Sequence, residues 1–322
     1  MLRSIVALLG LSTLLASAVL SDDLPLVIAH RGASGYLPEH TLPAVSLAYA
    51  MGADYIEQDV VLSKDSVPIV LHDLHLGEVT DVAKRFPTRA RSDGRFYVLD
   101  FTLAELKTLS VNERVDAKSG KPKFTTRFPH GKSQFRIATL DEELELIQGL
   151  NTSTKRNVGI YPEIKKPAWH REQGFDSSRI VVKHLKQHGY TTKDHKCFLQ
   201  CFDQDELLRI RNELGVQLKL VQLLEATPKK HLTAEALRKV ATYADGIGPP
   251  LSTVLLANGK PTQLVKLAHE AGLPVHPYTF RVDKLPTGFT SPNVFMSTLV
   301  KEAKVDGLFT DFPDFCVKCK SQ

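Results

Sequence analysis

Short apolar, β-branched runs alternate with stretches of helical periodicity along most of the chain, and this alternation limits the fold more than any other feature. It is typical of βαβ units, in which consecutive strands are parallel. Nine runs have the length and composition of strands, and predicted helices lie between most of them. These runs are residues 26–30, 55–62, 68–72, 158–164, 197–202, 218–224, 246–248, 274–280 and 307–310. The pattern predicts an α/β protein with a largely parallel sheet.

Nine runs are one more than an eight-stranded barrel holds. Only about five residues, 63–67, join the second run to the third, whereas a parallel crossover needs a dozen or more. We therefore assign 68–72 to the return arm of a hairpin at the barrel rim, and the other eight runs to a (β/α)8 TIM barrel. Residues 73–136 interrupt the alternation directly after the hairpin. They are predicted to form an inserted subdomain on the same rim.

The first residues have the features of an export signal. Arg3 precedes a short apolar stretch, 5–15, and Ala16-Ser17-Ala18 is a small-residue cleavage pattern. The apolar stretch is shorter than the roughly 20 residues that span a bilayer. We predict a signal peptide at 1–18, a mature barrel domain at 19–322, and a periplasmic or secreted protein without stable membrane insertion.

Charge and cysteine content limit the partners. The formal net charge of +5 is spread along the chain, without a dense Lys/Arg cluster interleaved with aromatic residues, so we expect a small-molecule substrate and no nucleic acid. Cys197 and Cys201 share a strand-like run that would hold them about 13 Å apart, beyond disulfide reach. Cys316 and Cys319 form a C-x-x-C outside the context of a redox motif. A local bridge, free thiols and a zinc site made by all four cysteines remain open.

Carboxylates and a lysine follow two of the predicted strands, at the end of the barrel where active sites of this fold lie. Glu57 and Asp59 are two residues apart and share a strand face, and Glu163 and Lys165 repeat that spacing. Three carboxylates converging on one rim repel one another unless a cation or protons intervene. Oxygen ligands favour Ca²⁺ or Mg²⁺ over Zn²⁺. The three carboxylates therefore predict a site for a hard divalent cation.

Two histidines and two basic residues also follow predicted strands. Imidazole titrates nearest neutrality, so His30 and His72 are suited to act as acid and base on the two sides of a scissile bond. Arg31 and Lys165 would hold phosphate oxygens, where charge develops during the reaction. Each of these residues alone would also fit a structural role. Together, beside the carboxylates, they predict an active site for phosphoryl chemistry.

These residues belong to a series of short motifs that occur in order over about residues 24–317. The motifs are Ala29-His30-Arg31-Gly32, Pro38-Glu39-His40-Thr41, Glu57-x-Asp59, His72-Asp73, Glu163-x-Lys165, Gln200-x-Phe202, Tyr278-Thr279 and Thr310-Asp311-Phe312-Pro313. The series resembles the glycerophosphodiester phosphodiesterase family. The longer runs around these motifs are similar to its exported, periplasmic bacterial branch.

The resemblance implies a TIM barrel that hydrolyses deacylated phospholipids, such as glycerophosphocholine and glycerophosphoethanolamine, to sn-glycerol 3-phosphate and an alcohol. It implies that the substrate's glycerol hydroxyl attacks phosphorus and that water then opens the cyclic phosphate. By that pattern His30 is the general base and His72 the general acid, and they exchange roles in the second step. Ca²⁺, with Mg²⁺ as the alternative, is expected at Glu57, Asp59 and Glu163. Substrate contacts are expected at Arg31, Lys165, Gln200, Phe202 and Tyr278.

The sequence departs from the family pattern at two positions and leaves other functions open. Glu78 stands where many members have arginine, and His40 where asparagine is common. A sphingomyelinase D-like or lysophospholipase D-like enzyme would use the same barrel and would accept lysolipids. A surface binding protein or adhesin on this scaffold would be expected to have lost catalytic groups. A structural or redox protein would depend on the C-x-x-C.

Overall fold

The computed structural model describes residues 25–226 and 233–320, so the predicted signal peptide at 1–18 lies outside the described residues. One sheet contains every strand of the described chain. In chain order the strands are β1 (Leu26–Ala29), β2 (Tyr55–Leu62), β3 (Pro68–Val70), β4 (Ala138–Thr139), β5 (Gly159–Ile164), β6 (Phe198–Cys201), β7 (Lys219–Leu223), β8 (Gly246–Gly248) and β9 (Gly307–Thr310).

Eight parallel segments close into a barrel, which confirms the predicted (β/α)8 fold. The parallel pairs run from β2 through β5, β6 and β7 to β8, and β1 pairs with both β2 and β9. The remaining position is filled by 274–280, which is predicted to be a strand but makes only isolated parallel bridges to β8 and β9. Pro274 and Pro277 explain the difference, because proline has no N–H to donate to a ladder. Both prolines instead accept bonds through their carbonyl oxygens, from Ile247 N (2.9 Å) and Phe309 N (3.1 Å).

The predicted hairpin is present at the rim. β3 pairs antiparallel with the end of β2, with Val60 opposite Val70. The two-residue strand β4, which the sequence pattern does not reveal, continues this antiparallel edge. β2 is therefore longer than its neighbours, because Tyr55–Val60 pair with β5 in the barrel and Val60–Leu62 pair with β3 in the hairpin.

Residues 73–136 pack around a hydrophobic cluster separate from the main barrel core. The cluster uses side chains of the segment together with the hairpin face that carries Val61 and Ile69, and includes Leu76, Phe101 and Leu106. Regular structure in the segment is short: α2 (Val82–Arg85), a 3-10 turn (Val98–Asp100) and α3 (Leu103–Leu106). A capping box between Thr102 and Glu105 starts α3.

Helices cover the outside of the barrel. Thr139 and Glu142 form the capping box that their spacing predicts, at the start of α4. The helices outside the 73–136 segment are α1 (Leu42–Ala50), α4 (Leu140–Thr154), α5 (Pro167–Glu172), α6 (Ser177–Gln187), α7 (Gln204–Asn212), α8 (Ala234–Val240), α9 (Leu251–Val254), α10 (Leu264–Glu270), α11 (Pro292–Ser297), which a π-helical turn (Thr298–Glu302) extends, and α12 (Pro313–Lys320). Across residues 25–226 and 233–320, no helix has both the length and the apolar character needed to cross a bilayer.

Aromatic side chains fill the lower part of the barrel interior. Tyr161 stacks on Phe198 with ring centroids 4.8 Å apart, and Tyr55 and Phe309 pack against Tyr161. Because side chains alternate along a strand, the inward positions that follow Tyr55 and Tyr161 are carboxylates. The barrel interior is therefore filled by aromatic rings near the amino ends of the strands and is polar at their carboxyl ends.

All four cysteines lie within the described residues, and none is in a disulfide. Cys197 and Cys201 are buried thiols, as their strand spacing predicts. Cys316 is buried on α12, and Cys319 is partly exposed one turn later.

Candidate active site

One cavity of about 330 Å³ opens at the carboxyl end of the barrel strands, and we call it the inner cavity. It brings together every residue assigned to the site from sequence. Those residues are His30, Arg31, Glu57, Asp59, His72, Glu163, Lys165, Gln200, Phe202 and Tyr278. They come from β1, β2, β5, β6, the hairpin and the 274–280 segment, so only the closed barrel places them together.

The three predicted cation ligands are buried carboxylates. Glu57, Asp59 and Glu163 are 2%, 1% and 6% exposed, and Asp59 lies opposite Glu163 in the pairing of β2 with β5. Burial and the neighbouring Asp59 charge raise the pKa of Glu57 well above its usual range. Burial raises the pKa of Glu163 to about 7, although Lys165 opposes the shift. Burial alone would also raise the pKa of Asp59, but Lys165, His72 and Arg31 hold it well below its usual value.

These donors fit a hard divalent cation. Ligand atoms of Glu57, Asp59 and His40 lie within 4.8 Å of one another, and His40 Nε2 is 2.8 Å from Asp59 Oδ2. The Glu163 carboxylate contacts Lys165 Nζ at 2.9 Å instead. The structure thus offers a compact group that includes His40, and the role predicted for Glu163 as third ligand stays a prediction. A cluster of buried carboxylates that repel one another is the environment in which such an ion is stabilising.

His30 is held by an aspartate at the end of β9. Its Nδ1 lies 2.6 Å from Asp311 Oδ1, which leaves Nε2 as the ring nitrogen available to the inner cavity. Burial and the nearby Arg31 cation lower the pKa of His30 to about 4, despite the opposing effect of Asp311. His30 is therefore neutral near pH 7, as a general base must be.

His72 has an equivalent partner in the next residue of the chain. Its Nδ1 lies 2.7 Å from Asp73 Oδ1, so its Nε2 is also available. The side chain of His72 is 32% exposed. Partial burial and the Arg31 cation lower its pKa to about 4. The two histidines have matching carboxylate partners and line the same cavity.

The two predicted phosphate-binding cations are also fixed in place. Arg31 has a positive φ of 61°, which turns the chain after β1 so that its N–H donates to Glu57 Oε2 at 2.7 Å. Its guanidinium donates to Glu39 at 3.0 Å. Lys165 Nζ lies 3.2 Å from Asp59 Oδ1. Both cations are largely buried, so an anion that enters the cavity meets charges that are poorly screened by water.

A second, larger cavity of about 830 Å³ adjoins the first, and we call it the outer cavity. His72, Glu163, Lys165, Phe202 and Tyr278 line both cavities, whereas His30 lines only the inner one. The outer cavity extends over Trp169 and towards the carboxylates of Asp203 and Glu225. Its walls therefore combine aromatic and acidic side chains with Lys165 and Lys166.

Comparisons with known proteins show the family of this chain. The model of the "Glycerophosphoryl diester phosphodiesterase family" matches residues 30–315. The chain belongs to this family. Among its relatives, the glycerophosphodiester phosphodiesterase of Haemophilus influenzae is 44% identical over 335 aligned positions, covering 94% of this chain and 91% of that protein. The corresponding Treponema pallidum protein is 36% identical and covers 91% of both chains.

Solved structures of other proteins share the fold. A protein from Silicibacter pomeroyi superposes with a TM-score of 0.71 at 22% identity, covering 93% of this chain and 94% of that one. A phosphodiesterase from Oleispira antarctica, solved with the product sn-glycerol 3-phosphate, superposes with a TM-score of 0.65 at 24% identity, covering 93% and 98%. Whether this chain belongs to the exported branch of the family stays a prediction.

Sequence reasoning did not assign a role to several residues that contact this family site. Asp311 is part of a quoted motif, and its position at a strand end was the available signal. His40 was part of a quoted motif and a departure from the family pattern, but it was given no role, yet it contacts Asp59. Arg114 and Arg127, which bond Asp73 and Asp311, come from the 73–136 segment, where no periodic pattern indicates which side chains face the barrel.

Proposed function

We propose that this glycerophosphodiester phosphodiesterase uses a divalent cation and two histidines to convert glycerophosphodiesters into sn-glycerol 3-phosphate and an alcohol. The observation that carries the proposal is the inner cavity, in which two His–Asp pairs, two cations and three buried carboxylates converge. Family membership supports the substrate class.

Glu57 and Asp59 would hold the cation, with Glu163 or His40 as a further ligand. The carboxylate donors favour Ca²⁺, with Mg²⁺ as the alternative. When bound, such an ion supplies Lewis-acid stabilisation of charge on the reacting oxygens. Arg31 and Lys165 would orient the phosphate by donating to its non-bridging oxygens.

Proton transfer would be divided between the two histidines. In the first step the glycerol 2-hydroxyl oxygen bonds to phosphorus and its proton passes to His30 Nε2. The bond from phosphorus to the alcohol oxygen breaks, and His72, which takes up a proton on Nε2 when the anionic phosphate binds beside it, donates that proton to the oxygen. In the second step water adds to the cyclic phosphate, the ring bond to the 2-oxygen breaks, and both histidines return to their original protonation states.

The two cavities support this assignment of base and acid. His72 lines both, so it lies where a leaving group in the outer cavity meets a phosphate in the inner one. His30 lines only the inner cavity, which suits a base acting on the glycerol side. The aromatic rings of the outer cavity and the carboxylates of Asp203 and Glu225 suit cationic alcohols such as choline and ethanolamine.

A coupled assay of sn-glycerol 3-phosphate release from glycerophosphocholine tests the proposal. Activity should disappear with EDTA, return with Ca²⁺, and be lost in His30→Ala and His72→Ala while both variants keep wild-type melting temperatures. Near-normal turnover in either histidine variant would reject the assignment. Turnover of lysophosphatidylcholine in preference to glycerophosphocholine would favour the lysophospholipase D-like alternative.

Leaving-group chemistry separates the two histidine roles. A p-nitrophenyl ester of glycerol 3-phosphate needs little protonation of its leaving oxygen, so it should restore turnover in His72→Ala but not in His30→Ala. Restoration only in His30→Ala would reverse the assignment of acid and base. Equal restoration in both variants would reject it.

We also propose that residues 1–18 direct export and are removed. Fractionation of the producing cell and N-terminal sequencing of the purified protein test this. A cytosolic protein that retains residues 1–18 would overturn it.

A further inference from the structure

Two buried arginines reach from the 73–136 segment to the carboxylates that hold the histidines. Their side chains, those of Arg114 and Arg127, are 6% and 4% exposed. A buried guanidinium is costly unless each donor is paired. The partners of these two arginines therefore indicate what keeps them buried.

Arg114 contacts the partner of His72. Its Nη1 donates to Asp73 Oδ2 at 2.5 Å, while Asp73 Oδ1 bonds His72 Nδ1. The same guanidinium forms a fork with Glu39, at 2.7 and 3.1 Å, and Glu39 in turn bonds Arg31. Arg114 is thus one residue away from both a histidine and a phosphate-binding cation of the site. Glu78, which stands where many family members have arginine, accepts from Arg114 at 2.8 Å.

Arg127 makes the equivalent contact on the other side of the site. Its Nη2 donates to Asp311 Oδ2 at 2.7 Å, while Asp311 Oδ1 bonds His30 Nδ1. Its other donors are bonded to Asp283, at 2.8 Å from Nε, and to the carbonyl oxygen of Ser34, at 3.2 Å from Nη1. Each histidine is therefore linked through an aspartate to an arginine of the 73–136 segment.

We propose that the 73–136 segment completes the active site by supplying Arg114 and Arg127 as positioning residues, one for each His–Asp pair. The inference rests on the proposed function, because it assumes that both histidines are catalytic. Each arginine occupies the outer oxygen of its aspartate, so the inner oxygen and its charge stay directed at the histidine Nδ1. That keeps a proton on Nδ1 of each ring and directs Nε2 at the cavity.

Arg114 and Arg127 differ in their further contacts, and this predicts different kinetics for their variants. Asp311 Oδ2 also accepts from Arg281 Nε at 2.6 Å, so loss of Arg127 leaves one cation in place and affects only the histidine side. Loss of Arg114 also frees Glu39 to draw Arg31 away from the substrate phosphate. We therefore expect Arg127 to act on kcat alone, and Arg114 to act on both kcat and KM.

Steady-state kinetics of full-length variants test the inference. Arg127→Met should lower kcat by about 10-fold to 100-fold with KM within about twofold of wild type. Arg114→Met should lower kcat by a similar factor and raise KM. That variant also removes the cation that Glu39, Asp73 and Glu78 share, which lowers stability as well. Arg114→Lys is therefore measured beside it, because lysine keeps the charge and removes only the fork geometry. Arg127→Lys should recover part of the kcat lost in Arg127→Met.

Arg89→Met is the matched control. Arg89 also belongs to the 73–136 segment, and it donates to Glu105 at 2.9 Å and to the carbonyl oxygen of Asp100 at 2.6 Å, away from both cavities. It should lower the melting temperature while kcat stays within about twofold of wild type. A purely structural role for the other two arginines predicts that they behave like Arg89.

The outcomes separate this inference from the proposed function. If His30→Ala and His72→Ala retain turnover, the proposed function fails. If those variants are inactive while Arg127→Met and Arg114→Lys have the kcat and KM of Arg89→Met, the positioning role alone is overturned. If Arg114→Met does not fold, the kcat and KM of Arg127→Met and Arg114→Lys decide the question.

Discussion

Replacement of Asp311 by asparagine should remove most turnover while preserving the shape of the site. Asp311 Oδ2 accepts from Arg281 and Arg127, and Oδ1 faces His30 Nδ1. A carboxamide has one oxygen and one NH₂ group, and guanidinium groups can only donate. The amide oxygen should therefore face the two arginines, and the NH₂ group should face His30. The ring must then accept at Nδ1 and carry its proton on Nε2, where it can no longer act as a base.

The expected magnitude follows from that change of tautomer. In hydrolases whose general-base histidine is oriented by a buried aspartate, the same replacement costs about 10⁴-fold in kcat. We expect a loss of about 10³-fold to 10⁴-fold here, equivalent to about 4 to 5.5 kcal/mol in the activation barrier. The free energy of unfolding should fall by only about 1.5 to 3 kcal/mol, the value of one charge-assisted hydrogen bond.

The assay is kcat for glycerophosphocholine at saturating Ca²⁺, combined with ¹⁵N NMR of the histidine rings to identify the His30 tautomer. Asp314→Asn is the control, because this exposed aspartate three residues later bonds Tyr36 at 2.8 Å and lies outside the cavities. An Asp311→Asn enzyme that retains more than about a tenth of wild-type kcat would refute the argument.

Three further perturbations follow from the site and its surroundings. Glu57→Gln should weaken Ca²⁺ binding by at least about tenfold in calorimetry, and unchanged affinity would exclude it as a ligand. Burial raises the pKa of Glu113 to about 7, so the stability linked to its protonated form is present below about pH 4.5 and is lost as pH rises through 7. Between pH 5 and pH 8 the free energy of unfolding of wild type should therefore fall by about 2 kcal/mol relative to that of Glu113→Gln. An equal pH dependence of unfolding in the two proteins would contradict this. Gly32 has φ +79°, and an added Cβ would lie 2.8 Å from the carbonyl carbon of Ala44. Gly32→Ala should lower stability by about 1 to 3 kcal/mol and displace Arg31, and full activity in this variant would contradict that.

Much of the barrel could be predicted because its determinants are local in the sequence. The five residues after β2 are too few for a crossover, so loop length alone identified the hairpin with β3. The period-2 spacing of Glu57 and Asp59 placed both side chains on the inward face of β2. Likewise, the polar residues after apolar runs became the lining of the inner cavity, because closure of the barrel brings the strand ends together.

The rest depends on tertiary contacts that no local pattern encodes. Arg114 and Arg127 lie in irregular chain, and their partners are 41 and 184 residues away in sequence. β4 is only two residues long and exists because β3 offers it an edge. The 274–280 run has a strand-like composition, but its prolines cannot donate to a ladder, so it occupies the barrel position without regular pairing.

A crystal structure of the enzyme with Ca²⁺ and sn-glycerol 3-phosphate tests the central claim most directly. The account predicts that the phosphate lies in the inner cavity between the Nε2 atoms of His30 and His72, bonded to Arg31, with the ion on Glu57 and Asp59. An ion bound away from those carboxylates, or a phosphate that contacts neither histidine, would contradict it.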